Sequence, residues 1–356
     1  MTAAPSAPAR ATTAPRQIRW LLRLHRPALC AWAVLVVGLA ATLLWLWGPL
    51  TDAAATGWHQ YHTRCWSAAP CRYDQDAILR YKDLHQYTTV AVLAVPFLAA
   101  AWAGAALTGR ELETGTARLS WTQTVSPVRW LATRLTVPAL LVTAGTGLLA
   151  LLHHVVWSAG YHRIDSVKPW DDVPTFYTGG PIVVGLALAG LVLGALIGLL
   201  LGRSLLALCA SALAVVPLWI AVHTALPHLW PVATSVSGRR AFPSYSGIKV
   251  EEGVVTASGA HRPASTCTID LSPGCRALND RRGATGFYTD YHPYSHYWPL
   301  QLATTGALLA LAALLAGFAL WLVRRRTTGT RPGGKAAPGA GTGTGAVAHA
   351  GTGAAV

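Results

Sequence analysis

Glu111 and Glu113 are the residues of this chain best placed to do something other than fold. They lie in Gly109-Arg-Glu-Leu-Glu-Thr-Gly-Thr-Ala-Arg-Leu-Ser-Trp-Thr-Gln123, a charged, glycine-containing stretch between two long apolar runs. Such a stretch cannot sit in hydrocarbon, so it must meet water or a partner. The acids could read a partner's surface, or they could cap the following helix and pair with Arg110 and Arg118. Other reactive side chains are scattered. Ser204 and Ser211 with His153, His154 and His223 hold the parts of an intramembrane serine hydrolase. Ser204, however, falls at one edge of the apolar runs and the histidines toward the other, and no Gly-x-Ser-x-Gly motif is present. No phosphate loop is present either: Gly333-Gly334-Lys335 is followed by two alanines rather than a hydroxyl. Four cysteines (Cys65, Cys71, Cys267 and Cys275) are disulfide candidates, paired within each segment or between the two. Their spacings, five and seven intervening residues, are wrong for a zinc knuckle.

The elements that must position these groups are apolar helices. Hydrophobic residues make up 53 % of the chain and charged residues only 12 %, whereas soluble domains carry roughly 25 % charged residues. Six windows of 20 to 24 residues (28–48, 88–107, 135–157, 180–201, 205–225 and 299–322) contain no Lys, Arg, Asp or Glu. Each is long enough for about 30 Å of helix. This is a polytopic all-α integral membrane pattern. The first window exceeds the roughly 7–15 residues of a signal-peptide core, so it reads as an uncleaved span. Carboxylates at membrane depth, as ion-driven carriers use, are missing from all six windows.

Orientation follows from the basic residues. With the N-terminus inside, segments 1–27, 108–134, 202–204 and 323–356 carry 15 Lys/Arg against two acids. Segments 49–87, 158–179 and 226–298 carry 13 against 12. The net charge of +14 is therefore mostly positive-inside bias, reinforced by anionic lipid headgroups. No basic stripe or recognition motif points to nucleic acid. Residues 1–14 read as a disordered tail, 15–27 as a basic amphipathic helix in the interface plane, and 28–322 as the six-span domain. Residues 323–356 are basic and then Gly/Ala/Thr-rich, a second disordered tail. Gly190, Gly194, Gly198 and Gly202 place three overlapping Gly-x-x-x-Gly units on the fourth span, a helix-packing stripe within the subunit or at a dimer seam. Ser126-Pro127 reads as the N-cap and first position of the third span. The long outer segment 226–298 reads as irregular with a hairpin, and its aromatic end, 287–298, as an interfacial belt or, alternatively, a substrate-facing vestibule or re-entrant segment.

The 109–123 stretch resembles the cytoplasmic coupling segment of type-2 ABC exporter permeases. Those proteins carry Glu-x-Glu-x-Gly-Thr after the second span and an arginine at the start of the third. The matching positions are Glu111, Glu113, Gly115, Thr116 and Arg129, and Trp121, Thr122 and Gln123 match the Trp-Thr-Gln of actinobacterial members. The order Ser126-Pro127-Val128-Arg129 departs from the commoner Pro-Val-Ser-Arg, and Arg134 stands where a lysine is frequent. The resemblance implies a coupling helix between spans two and three, and a multi-pass cell-membrane protein with both termini cytoplasmic. It implies an ABC ATPase subunit that holds the ATP and Mg, and a second permease subunit as homo- or heterodimer partner. The chain itself would bind no cofactor and catalyse nothing. The expected cargo is an amphipathic or lipid-like compound. A non-transporting sensor or assembly partner of an ATPase is the alternative, with an intramembrane hydrolase further behind.

Overall fold

The computed structural model describes residues 22–65, 71–117, 126–239, 241–263 and 272–328. Residues 1–14, most of 15–27, Trp121, Thr122, Gln123, Cys267 and the tail after 328 lie outside them. The helices are α1 (Arg26–Cys65), α2 (Gln75–Glu113), α3 (Pro127–Gly160), α4 (Val173–Thr178), α5 (Ile182–Leu201), α6 (Ser204–His228), α7 (Pro273–Arg281) and α8 (Tyr294–Arg326). All but α4 and α7 are long and apolar enough to cross a membrane. The six apolar windows fall on these six helices, and α1, α2, α3 and α8 run well past them. Their polar extensions are stabilised locally. Asp74 caps α2 by accepting a hydrogen bond from Ala77 N at 3.0 Å. Ser126 caps α3 by accepting one from Arg129 N at 3.3 Å, with Pro127 at the first helical position.

α5 is the axis of the bundle. It packs against α2, α3, α6 and α8, and 78 % of its most apolar stretch is buried, against 11–44 % for the other five spans. The outward faces of α1, α6 and α8 expose Val34, Leu205 and Leu314, each more than 70 % accessible, as a bilayer-facing surface requires. At Gly190 a Cβ would lie 2.8 Å from the Pro96 carbonyl, and at Gly194 it would run into the Ala100 carbonyl. At Gly198 it would strike Thr108 and the Gly104 carbonyl. These three glycines thus let α5 lie directly on the backbone of α2, inside one subunit. Gly202 does something else. At φ +62° it ends α5 in a left-handed cap, donating to Gly198 O at 3.0 Å.

The segment between α6 and α8 departs from the irregular chain expected. It forms a four-stranded antiparallel sheet in the order β1-β4-β2-β3, from β1 (Ala233–Gly238), β2 (Ile248–Thr256), β3 (His261–Pro263) and β4 (Ala284–His292). The aromatic run is divided accordingly. Phe287 to His292 belong to β4, with Phe287 and Tyr288 buried, whereas Trp298 is half-exposed in the first turns of α8. The edge strand β1 pairs with β4 about fifty residues downstream, a non-local contact that hairpin signals do not report. Below the sheet, α8 grips the break between α4 and α5. Gln301 donates to Phe176 O at 2.6 Å and accepts from Ile182 N at 3.2 Å, while the Tyr297 hydroxyl donates to Gly179 O at 2.6 Å.

The first cysteine pair is resolved as a bond within its own segment, Cys65–Cys71, with Cα atoms 5.2 Å apart. Cys275 is also disulfide-bonded, its other half outside the described residues. Cys30 and Cys209 are free. In unreduced protein Cys71 should therefore resist alkylation and become reactive in a Cys65→Ser variant, read by the mass of its proteolytic peptide. Labelling of Cys71 in the unreduced wild type would contradict the bond.

Candidate functional site

The last turns of α2, like two stretches of α1 (Leu46–Leu50 and Tyr61–Cys65), depart from regular α-helix. Residues Ala103–Gly109 form a π-helical segment, a geometry in which one residue per turn is extra and which recurs at functional positions. It is buried between α5 and α6: Ala103, Leu107 and Thr108 have no exposed surface, and the Thr108 hydroxyl donates to Ala195 O on α5 at 3.0 Å. Gly104 and Gly109 permit that approach, since a Cβ on either would meet Ala207 of α6. The chain then makes one α turn, Arg110–Glu113. It leaves that turn through Gly115, whose φ of +72° is a left-handed conformation that glycine adopts without strain.

Both glutamates are engaged within the chain. Glu111 is nearly buried and forms an ion pair with Arg134 of α3, which is 3 % exposed. Arg134 also donates to Leu107 O, in the π segment, at 3.3 Å. Its guanidinium lies 4.7 Å from the centroid of the Trp130 ring. The Arg134 fork thus satisfies a carboxylate and a backbone carbonyl of α2 at once, from a neighbouring helix. Glu113 is exposed, and its carboxylate accepts from Ser204 N at 2.9 Å and from Ser204 Oγ at 2.6 Å. Ser204 opens α6, so Glu113 caps the N-terminus of a different span, where the helix dipole favours an anion. Three spans therefore meet in one rigid turn: α2 supplies two carboxylates, α3 the arginine and α6 its first amide.

The expected site residues divide. Glu111, Glu113, Gly115 and Thr116 share the turn, and the Thr116 hydroxyl donates to Glu111 O at 3.3 Å. Arg129 stands exposed at the start of α3, and Arg134, five residues on, takes the carboxylate instead. The structural partners expected for the acids are Arg110, Arg118 and the following helix; Arg134 and α6 take the acids, while Arg118 lies outside the described residues. Trp121, Thr122 and Gln123 fall outside the described residues. Spacing alone misses Arg134 and Ser204, because it does not report which spans are neighbours.

The hydrolase parts do not assemble. Ser204 is held by Glu113, and Ser211 Oγ donates to Gly194 O at 3.4 Å. His153 lies between the hydroxyls of Thr89 and Thr178, with its Nε2 2.8 Å from Thr89 Oγ1. Thr89 and Glu113 are 24 residues apart on α2, roughly 35 Å of helix. Among the described residues, no group of three or more His, Cys, Asp or Glu side chains is placed to hold a metal.

Six long apolar helices, with α5 as the buried axis among them, define a multi-pass membrane protein. Residues 33–227, more than half of the chain, match the family described as ABC-2 membrane transporter related, and the chain belongs to that family. No curated protein and no solved structure matches it.

Proposed function

We propose that this chain is the membrane-spanning subunit of an ATP-driven exporter, powered by a separately encoded ABC ATPase and working as a dimer of permease subunits. The observation that carries the reading is the turn at residues 110–116. Through Glu111–Arg134 and Glu113–Ser204 it is fastened to α3 and α6, and through the π segment it is continuous with the packing surface of α5. A rigid-body tilt of an ATPase closing around ATP, applied at this turn, would be delivered to four spans together, as exchange between inward and outward gates requires. The basic residues favour this end as cytoplasmic. The Cys65–Cys71 disulfide lies before α2 begins, and so at the opposite end, which suits an oxidising exterior. Spans without charged residues in their apolar cores suit an amphipathic or lipid-like cargo.

Reconstitution of the chain with its ATPase tests the reading. Glu113→Lys places a cation against the α6 N-terminus and removes the cap. It should abolish the stimulation of ATP hydrolysis by the permease while the protein still inserts and oxidises Cys65–Cys71. Full stimulation in that variant would remove the turn from the coupling path.

A further inference from the structure

We infer that the ATPase is recognised at this end by arginines, and that its docking surface is acidic. The inference rests on the functional reading above but reverses the role expected of the two glutamates. Glu111 is enclosed and neutralised by Arg134, and Glu113 is occupied by Ser204 and lies beside Arg203. Among the described residues these are the only carboxylates at this end of the bundle. Asp52, Asp74, Asp76, Asp83, Asp165, Asp171, Asp172, Glu251, Glu252, Asp280 and Asp290 belong to the opposite end or to the sheet. What faces outward around the turn is instead Arg110, Arg129 and Arg203, each exposed and, among the described residues, in no ion pair.

These three arginines stand at the tips of α2, α3 and α6, the helices that the two glutamates tie together. The glutamates thus act as internal fasteners that fix the spacing of an outward cationic triad. Lipid phosphate needs no fixed spacing, and Arg23 and Arg26, exposed at the start of α1, already supply positive charge for headgroups. A triad on a braced turn suits a rigid protein surface carrying Asp and Glu, where planar guanidinium forks pair with carboxylates and complementary charge speeds and orients docking.

The test is affinity capture of the tagged full chain from native membranes, with the co-purifying phosphate-loop ATPase quantified. The wild type is compared with Arg110→Glu/Arg203→Glu and with the milder Arg110→Gln/Arg203→Gln. An oxidised Cys65–Cys71 bond in each variant reports that folding and orientation are intact. ATPase recovery should fall about tenfold in the reversed variant and by less in the neutralised one. It should weaken with salt in the wild type. Equal recovery from the wild type and both arginine variants overturns the inference. Retained ATPase with loss of bound anionic lipid, read by native mass spectrometry, overturns it in favour of a headgroup site. Absence of an ATPase from the wild type itself overturns the functional reading, and this inference with it.

Discussion

Replacing Arg134 by Leu while Glu111 remains is expected to destabilise the bundle by about 3–5 kcal/mol. The loss has two sources. Glu111, which is only 9 % exposed, is left as an uncompensated carboxylate, and Leu107 O in the π segment loses its donor from α3. The double variant Arg134→Leu/Glu111→Leu should recover most of the loss, because a buried ion pair contributes little net stability over apolar residues of similar volume. Thermal unfolding in lipid nanodiscs measures both. A single variant as stable as the wild type would mean that the pair is solvated in the membrane. A double variant as unstable as the single would mean that Arg134 acts through Leu107 O and Trp130 rather than through the ion pair.

The second large effect concerns the axis. Gly194→Leu should destabilise the protein by about 3 kcal/mol or more, at the upper end of overpacking. A Cβ there runs into the carbonyl of Ala100, with its Cα 2.9 Å away, so the obstacle is backbone rather than a flexible side chain. α5 and α2 would have to separate, and the Thr108–Ala195 bond would go with them. Gly147→Leu is the matched control. No atom lies within 4 Å of its built Cβ, and it should fall within roughly ±0.5 kcal/mol of the wild type. Equal effects at the two positions would show that the loss comes from helix propensity or insertion and not from the α5–α2 contact.

These contrasts show which parts of the structure the sequence discloses. The spans are legible because hydrocarbon excludes charge, so a charge-free run of twenty or more residues has one dominant explanation. The turn after α2 is legible for the complementary reason, as charge where hydrocarbon ends. The inside of that turn is not. Arg129 fits the spacing of the resembled motif, but Arg134 lies where α3 faces Glu111, and only the packing of three helices distinguishes them. Ser204 invites a nucleophile reading by its residue type, yet its neighbour is the carboxylate of Glu113 rather than a histidine. The glycine stripe divides in the same way. Gly190, Gly194 and Gly198 seat α5 against α2, whereas Gly202, at the same spacing, serves the backbone conformation of a helix end. The sheet is hidden most completely. Gly253 and Gly286 interrupt its strands, and β4 pairs with both β1 and β2 across long stretches of intervening chain.

The central claim is that the chain is the passive, membrane-spanning half of an ATP-driven machine. Its most direct test is affinity capture of the tagged wild-type protein from native membranes, followed by mass spectrometry of what accompanies it. A phosphate-loop ATPase recovered near one-to-one is the expected result. Recovery of the chain alone, under detergents that hold known permease–ATPase complexes together, would contradict it.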